Sequence, residues 1–164
     1  MNTSTIVVSW IALVISLCSF WVAFVQMRIA SAKTKLDLYN KRFSIYVTAL
    51  EYYQSTWHDP YDKIENEAKK FTKAFRESLF LFDKNSGIQD LLKKIQQNGS
   101  TISFYKKYKY ESENNLTNDR LDLSTLHDAS MKAQFEFEAN LLSLEQQLEN
   151  YLSFKSIDGW HFYK

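Results

Sequence analysis

Ile6–Val25 constrains this chain more than any other stretch: twenty uncharged residues, interrupted only by Ser9, Ser16 and Ser19. At about 1.5 Å rise per residue such a run spans the roughly 30 Å hydrocarbon core of a bilayer. A helix is the one open structure that satisfies its own backbone there. A cleaved signal peptide would place a basic stretch before a shorter apolar core of about 7–15 residues. Met1–Thr5 holds no basic side chain, and "ASA" at Ala30–Ala32, which mimics a cleavage site, lies beyond Arg28 inside a helical pattern. The run reads as an uncleaved membrane anchor in contact with membrane lipid.

Arg28, Lys33, Lys35, Lys41 and Arg42 follow the run, opposed only by Asp37, and no Lys or Arg precedes it. Positive flanks stay in the cytoplasm. The expected location is therefore the cell inner (plasma) membrane, single-pass, with the N-terminus outside and the C-terminus cytoplasmic. Cys18 falls mid-span, which suits a protein that needs no disulfides. The N-x-S/T sequons at Asn2, Asn98 and Asn115 read as chance.

Breakers are few: Gly87, Gly99, Gly159 and Pro60. Long helices with the breakers at turns follow from this. Ile29, Ala32, Leu36, Tyr39, Phe43, Tyr46, Leu50, Tyr53 and Trp57 recur at alternating steps of three and four, the period of a helix with one buried seam. Nothing between Arg28 and Trp57 would stop a helix, so the span is expected to run on into the cytoplasm. Arg28, Leu36, Tyr39, Arg42, Phe43 and Tyr46 then form the cytoplasmic flank and bundle core. Arg42 is expected to cap that core through a carboxylate, from Asp37 or a later helix.

Asp59-Pro60 reads as an N-cap with proline in the first turn. A second helix carries Tyr61, Ile64, Ala68, Phe71, Phe75, Leu79 and Phe82 and ends at "DKNSG" (Asp83–Gly87). Ser86 and Gln89 form a candidate capping box for a third, shorter helix. Asn98–Ser100 reads as a turn. "TISFYKKYKY" after it fits a helix better than a strand, because no partner strand is visible. A polar loop at 111–120 precedes a last helix from about Ser124 to Phe154, with Leu126, Ala133, Phe137, Leu141, Leu144, Leu148 and Tyr151 on one side. The fold class is all-α: one N-terminal transmembrane helix (residues 1–27) continuing into a cytoplasmic antiparallel helical bundle (residues 28–164) of three long helices and one or two shorter ones.

Charge is divided along the chain. Residues 28–110 hold sixteen Lys/Arg against nine Asp/Glu, net +7, and residues 111–164 hold four against ten, net −6. The acidic last helix is expected to pack against basic earlier ones, in the same subunit or a neighbour. The whole chain is only +1, too little for a nucleic-acid surface, so nucleic acid is not the expected partner.

Within the span, Ser9, Ala12, Ser16, Ser19, Ala23, Gln26 and Ala30 are spaced 3, 4, 3, 4, 3, 4. Small and hydrogen-bonding side chains let helices approach each other in lipid, and the seven-residue repeat predicts a left-handed crossing. These residues are the candidate membrane-helix association seam of a homo-oligomer. In a sharper form the seam walls a pore, poorly ion-selective because no charge lines it. "FYKKYKY" (Phe104–Tyr110) mixes bases with aromatics in a pattern that suits single-stranded nucleic acid or anionic head groups. Solvated lysines over a tyrosine-lined helix account for it as well.

No enzyme is expected. His58, His127 and His161 lack metal-ligand spacing, Cys18 lies in lipid, and neither a Gly-rich phosphate loop nor a nucleophile elbow occurs. No catalytic residue, cofactor or metal site is therefore assigned.

"KTKLDLYNKRFSIYVTAL" (Lys33–Leu50) resembles the segment after the span in small bacterial membrane proteins of unassigned function, whose pattern is roughly K-L-x-L-aromatic-x-basic-R-aromatic-x-aliphatic-Y. Leu36, Leu38, Tyr39, Lys41, Arg42, Phe43, Ile45 and Tyr46 match it, and "SLFLFD" (Ser78–Asp83) is similar to a second, looser stretch. The resemblance implies one membrane helix with a cytoplasmic bundle, in proteins that look like parts of mobile elements or antiviral (phage) defence. The expected function is self-association through the membrane helix and presentation of the bundle to a cytoplasmic protein partner. A membrane-disrupting effector is the specific form of this, and an inert-anchored scaffold or adaptor is the alternative.

Overall fold

The computed structural model describes residues 3–116 and 121–152. Four helices follow in order: α1 (Thr3–His58), α2 (Tyr61–Ser78), α3 (Ile88–Glu113) and α4 (Leu123–Leu152), with a 3-10 turn at Lys84–Ser86 between α2 and α3. The fold is all-α, as the scarcity of breakers dictates. The expected end of the last helix at Phe154, together with Gly159, His161 and the Asn2 sequon, lies outside the described residues.

The chain divides into two units at Leu38. In the first, every described side chain of α1 from Ile6 to Leu38 is exposed. In the second, α1 from Tyr39 onward joins α2, α3 and α4 around one apolar core. The core takes Ile45, Ala49 and Tyr52 from α1, Ile64, Phe71 and Ala74 from α2, Ile88, Leu92, Ile95 and Ile102 from α3, and Ala133, Phe137, Leu141, Leu144 and Leu148 from α4. Tyr52 lies at its centre, its ring centroid 5.5 Å from those of both Phe71 and Phe137.

Several boundaries differ from the sequence expectation. Asn98–Ser100 does not turn the chain; it lies inside α3, which runs unbroken through "TISFYKKYKY". The glycine is there for clearance, because Tyr52 occupies the space a Cβ would fill. No capping box opens α3 either. Gly87, at φ +73°, is its N-cap, and Ser86 Oγ only accepts a long 3.4 Å bond from the Ile88 N–H. Pro60 is itself the N-cap of α2, and Asp59 does not cap it but pairs with Lys63 Nζ at 3.0 Å. α2 stops at Ser78, one turn early: Leu79 and Phe80 face outward while Phe82 turns into the core.

The core face of α1 is also not the expected one. Leu36 and Phe43 are exposed and Tyr39 is half-buried, while the buried positions are Ile45, Ala49, Tyr52, Ser55 and Thr56. That stripe puts the large Tyr52 side chain at the centre of the core, with the smaller Ala49, Ser55 and Thr56 around it. The aromatic seam lies to one side of it, with Tyr46, Leu50 and Tyr53 packed against the core edge.

Candidate functional site: two apolar surfaces

The first surface is the exposed part of α1. Its segment beginning at Ile6 is long and apolar enough to cross a membrane, and none of its most apolar window is buried. A core helix of a water-soluble protein would hide that surface. Ser9, Ala12, Ser16, Ser19, Ala23 and Gln26 all lie on this exposed helix, and their spacing puts them on one stripe. Ser19 Oγ donates back to the Ile15 carbonyl at 2.9 Å, which satisfies its proton within the helix and leaves its oxygen able to accept. Ser19, Ala23 and Gln26, with Val14, Ile15, Cys18 and Val22, line an open groove of about 440 Å³. At the end of the apolar run the Arg28 guanidinium lies 5.9 Å from the Phe24 ring centroid, one turn back.

The second surface is where α1 meets α4 in the bundle. Tyr46 donates its hydroxyl proton to Glu145 Oε1. That bond, burial and the nearby charge push the Tyr46 pKa up to about 12, so it remains a donor. Tyr53 lies against Phe137 at 5.2 Å, and its pKa is raised chiefly by burial and also by Glu138. Gln134 Nε2 donates to Thr56 Oγ1 at 2.9 Å, and Thr56 Oγ1 donates to the Tyr53 carbonyl at 2.6 Å. Both Thr56 and Gln134 are buried, so this pair fixes the register of the two helices rather than serving a ligand.

Arg42 closes the end of that seam, and among the described residues no carboxylate pairs with it. Its Nε donates to the Leu81 carbonyl at 3.1 Å, and its guanidinium lies 5.7 Å from the Phe82 ring centroid and 4.9 Å from that of Tyr151. The expected ion pair is replaced by a planar cation between two aromatic rings. The physical reason is the early end of α2, which leaves the Leu81 carbonyl outside any helix and in need of a donor.

The lysines of "FYKKYKY" are not all solvated. Lys106 is partly buried, with Nζ 3.3 Å from the Asp59 carbonyl, and burial lowers its pKa against the pull of the Asp59 charge. Lys107 lies 5.7 Å from the Tyr61 ring centroid, and Tyr108 is buried, its hydroxyl accepting the Leu121 N–H at 2.8 Å. This cluster ties α3 to the two neighbouring connections. The acidic α4 does pack along α3, whose lysines outnumber its carboxylates, but not through charge pairs within the chain: every ion pair among the described residues lies within four positions along the chain. Apolar packing, the Tyr46–Glu145 bond and the Gln134–Thr56 bond hold α4 in place.

A shallow cavity of about 310 Å³ is lined by Lys94, Gln97, Asn98, Glu136, Ala139 and Asn140. Among the described residues no group of three or more His, Cys, Asp or Glu is arranged to hold a metal ion. The sequence missed Asp122, whose carboxylate accepts the N–H groups of Ser124 (3.0 Å) and Thr125 (3.3 Å) and so caps α4. An Asp before a helical Ser-Thr pair was the available signal. Comparison with protein-family models, curated proteins and solved structures gives no match.

Proposed function

We propose that this chain is a single-pass membrane protein that self-associates through Ser9, Ala12, Ser16, Ser19, Ala23 and Gln26 and presents its helical bundle to a cytoplasmic protein partner. The observation that carries this reading is the wholly exposed apolar segment of α1. Exposing that much apolar surface to water is disfavoured at roughly 25 cal/mol per Å², and lipid removes the cost. Within lipid the remaining distinction among faces is the small-residue stripe, which is where helices associate. The basic flank from Arg28 to Arg42 supports an N-terminus outside the cell and a cytoplasmic bundle. The resemblance of Lys33–Leu50 to the post-span segment of small bacterial membrane proteins supports the same arrangement. In its sharper form the assembled spans breach the bilayer when a partner or signal biases the packing of the bundle.

The test is membrane potential and survival in bacteria expressing the full chain, beside a variant carrying Ser9→Leu, Ser16→Leu and Ser19→Leu at matched membrane levels. The parent is expected to depolarise the cells and the variant to lose that effect. Equal depolarisation by both would remove the seam from the mechanism. No depolarisation by either favours a scaffold on an inert anchor, in which any apolar helix of this length serves.

A further inference from the structure

One outer face of the bundle gathers exposed apolar side chains from both α1 and α4. Phe43 (43% exposed) and Trp57 (46%) on α1, and Met131 (42%), Phe135 (64%) and Leu142 (54%) on α4, all project from it. α2 differs, showing no exposed large apolar side chain between Tyr61 and Ser78 and carrying Lys–Glu pairs on its outside. On α1 these residues share a stripe with Tyr46, Leu50 and Tyr53, and on α4 they share one with Glu138 and Glu145, again at steps of three and four. Tyr46 donates to Glu145 and the Tyr53 ring lies against that of Phe137. The two stripes therefore lie side by side as the walls of one groove. On its floor Glu145 is already hydrogen-bonded by Tyr46, and the Trp57 ring packs edge-on against Tyr53 at 6.1 Å. What remains on offer is mostly hydrocarbon and aromatic ring.

We propose that this groove docks a second copy of the same chain, through a two-fold axis running along it. The register of the groove carries the choice of occupant. Thr56 lies opposite Gln134, Tyr53 opposite Phe137, Tyr46 opposite Glu145 and Arg42 opposite Tyr151. Trp57 is therefore level with the turn between Met131 and Phe135, and Leu142 is level with the turn between Tyr46 and Leu50. A two-fold axis along the groove keeps each level opposite itself and swaps the helices. Trp57 of one copy then meets Met131 and Phe135 of the other, and Leu142 meets Leu50 and the Tyr46 ring, twice over by symmetry. A direct α4-to-α4 contact would instead bring Glu138 and Glu145 against their own copies.

The area sets the strength. From Phe43 to Trp57 α1 advances about 21 Å, and two helices side by side are about 20 Å across. A patch of that size falls short of the roughly 800 Å² per partner of a standard interface. The contact is weak between freely diffusing chains and becomes populated when copies are held together, as parallel anchoring in one membrane does. The inference rests on the proposed anchoring for that concentration, and not on association through the span.

The test is disulfide trapping between full-length chains in membranes, in a Cys18→Ser background. Two differently tagged copies are co-expressed, one with Trp57→Cys and the other with Phe135→Cys, and oxidised with copper phenanthroline. A mixed disulfide is expected at least fivefold above a control pairing Trp57→Cys with Phe104→Cys, an exposed aromatic on α3. Adding Leu142→Lys to both copies is expected to cut the mixed disulfide at least threefold. Met131→Cys in place of Phe135→Cys should trap the same partner, which guards against one poorly folded variant. A Ser16→Cys pair reads the membrane seam in the same cells. Seam crosslinking without any Trp57 crosslink to Phe135 or Met131 overturns the inference and leaves the groove to a different protein. Groove crosslinking without a seam crosslink keeps it and removes association through the span. Equal trapping by the Phe104→Cys control marks the contact as non-specific and also overturns it.

Discussion

A Cβ on Gly99 would run into the Tyr52 hydroxyl oxygen and the ring carbon that bears it. Tyr52 cannot easily give way, since it is almost fully buried between Phe71 and Phe137. Gly99→Ala would gain about 1 kcal/mol of helix propensity but overpack the centre of the bundle, at a typical cost of about 1–3 kcal/mol. Overpacking is expected to win, with thermal unfolding of the variant shifted down by several degrees. Tyr52→Phe added to it should restore little, because the ring carbons stay in the way, whereas Tyr52→Leu should restore more. A Gly99→Ala variant as stable as the parent would show that the Tyr52 ring moves freely. Gly99 also shows why one class of residue misleads from sequence: "NGS" is a turn by composition, and only the tyrosine forty-seven positions earlier makes it a packing site. Arg42 misleads in the same way. The charge was legible, but its acceptor is a carbonyl freed by the early end of α2.

Period alone decides less at the level of whole helices than their length does. That α1 is one uninterrupted helix from Thr3 to His58 follows from the absence of breakers, and the sequence made this plain. Which face of its second half is buried was not plain. Two stripes compete there, one aromatic at 43, 46, 50, 53 and 57, and one of mixed size at 45, 49, 52 and 56. Hydrophobicity favours the first, yet the second is the one buried, because Tyr52 fills the space between Phe71, Phe137 and Gly99. α4 was easier, because Ala133, Phe137, Leu141, Leu144 and Leu148 form its one stripe with no rival of equal strength. Its start is held by Asp122, whose pKa is lowered first by the Thr125 hydroxyl and then by the Ser124 N–H. A carboxyl with a depressed folded pKa stabilises the folded form above its unfolded pKa and stops doing so as pH falls through the folded one. Asp122→Ala is therefore expected to speed amide exchange in the first turn of α4 at neutral pH. The difference from the parent should close once the pH drops below the ordinary carboxylate range, because the parent cap is then protonated too. A difference that persists at that acidity would mean the carboxylate charge is not what holds the turn.

On the scale of the whole molecule, the first unit presents only exposed side chains from Ile6 to Leu38, and the second buries a core of its own. The division was legible because an uncharged twenty-residue run and a charged, periodic remainder obey different solvents. What the sequence could not reveal was that the remainder keeps an apolar flank after building its core, since that depends on which of two stripes α1 turns inward. An exposed apolar N-terminal helix is compatible with one rival to an anchor, a signal removed after export. The two differ in mass, in location and in which side of the membrane holds the bundle. An anchor keeps the full 19.4 kDa chain in carbonate-washed membranes, with the bundle shielded from protease added to spheroplasts and digested once they are lysed. A signal cut after Ala32 would instead yield a soluble chain beginning at Lys33, outside the cytoplasm and digested without lysis. The anchor is the expected result, because Arg28, Lys33, Lys35, Lys41 and Arg42 crowd the C-terminal flank of the run and hold that side in the cytoplasm. Finding the Lys33 chain would remove the membrane seam and the crowding of parallel copies together, and the groove between α1 and α4 would then have to bind its partner unaided.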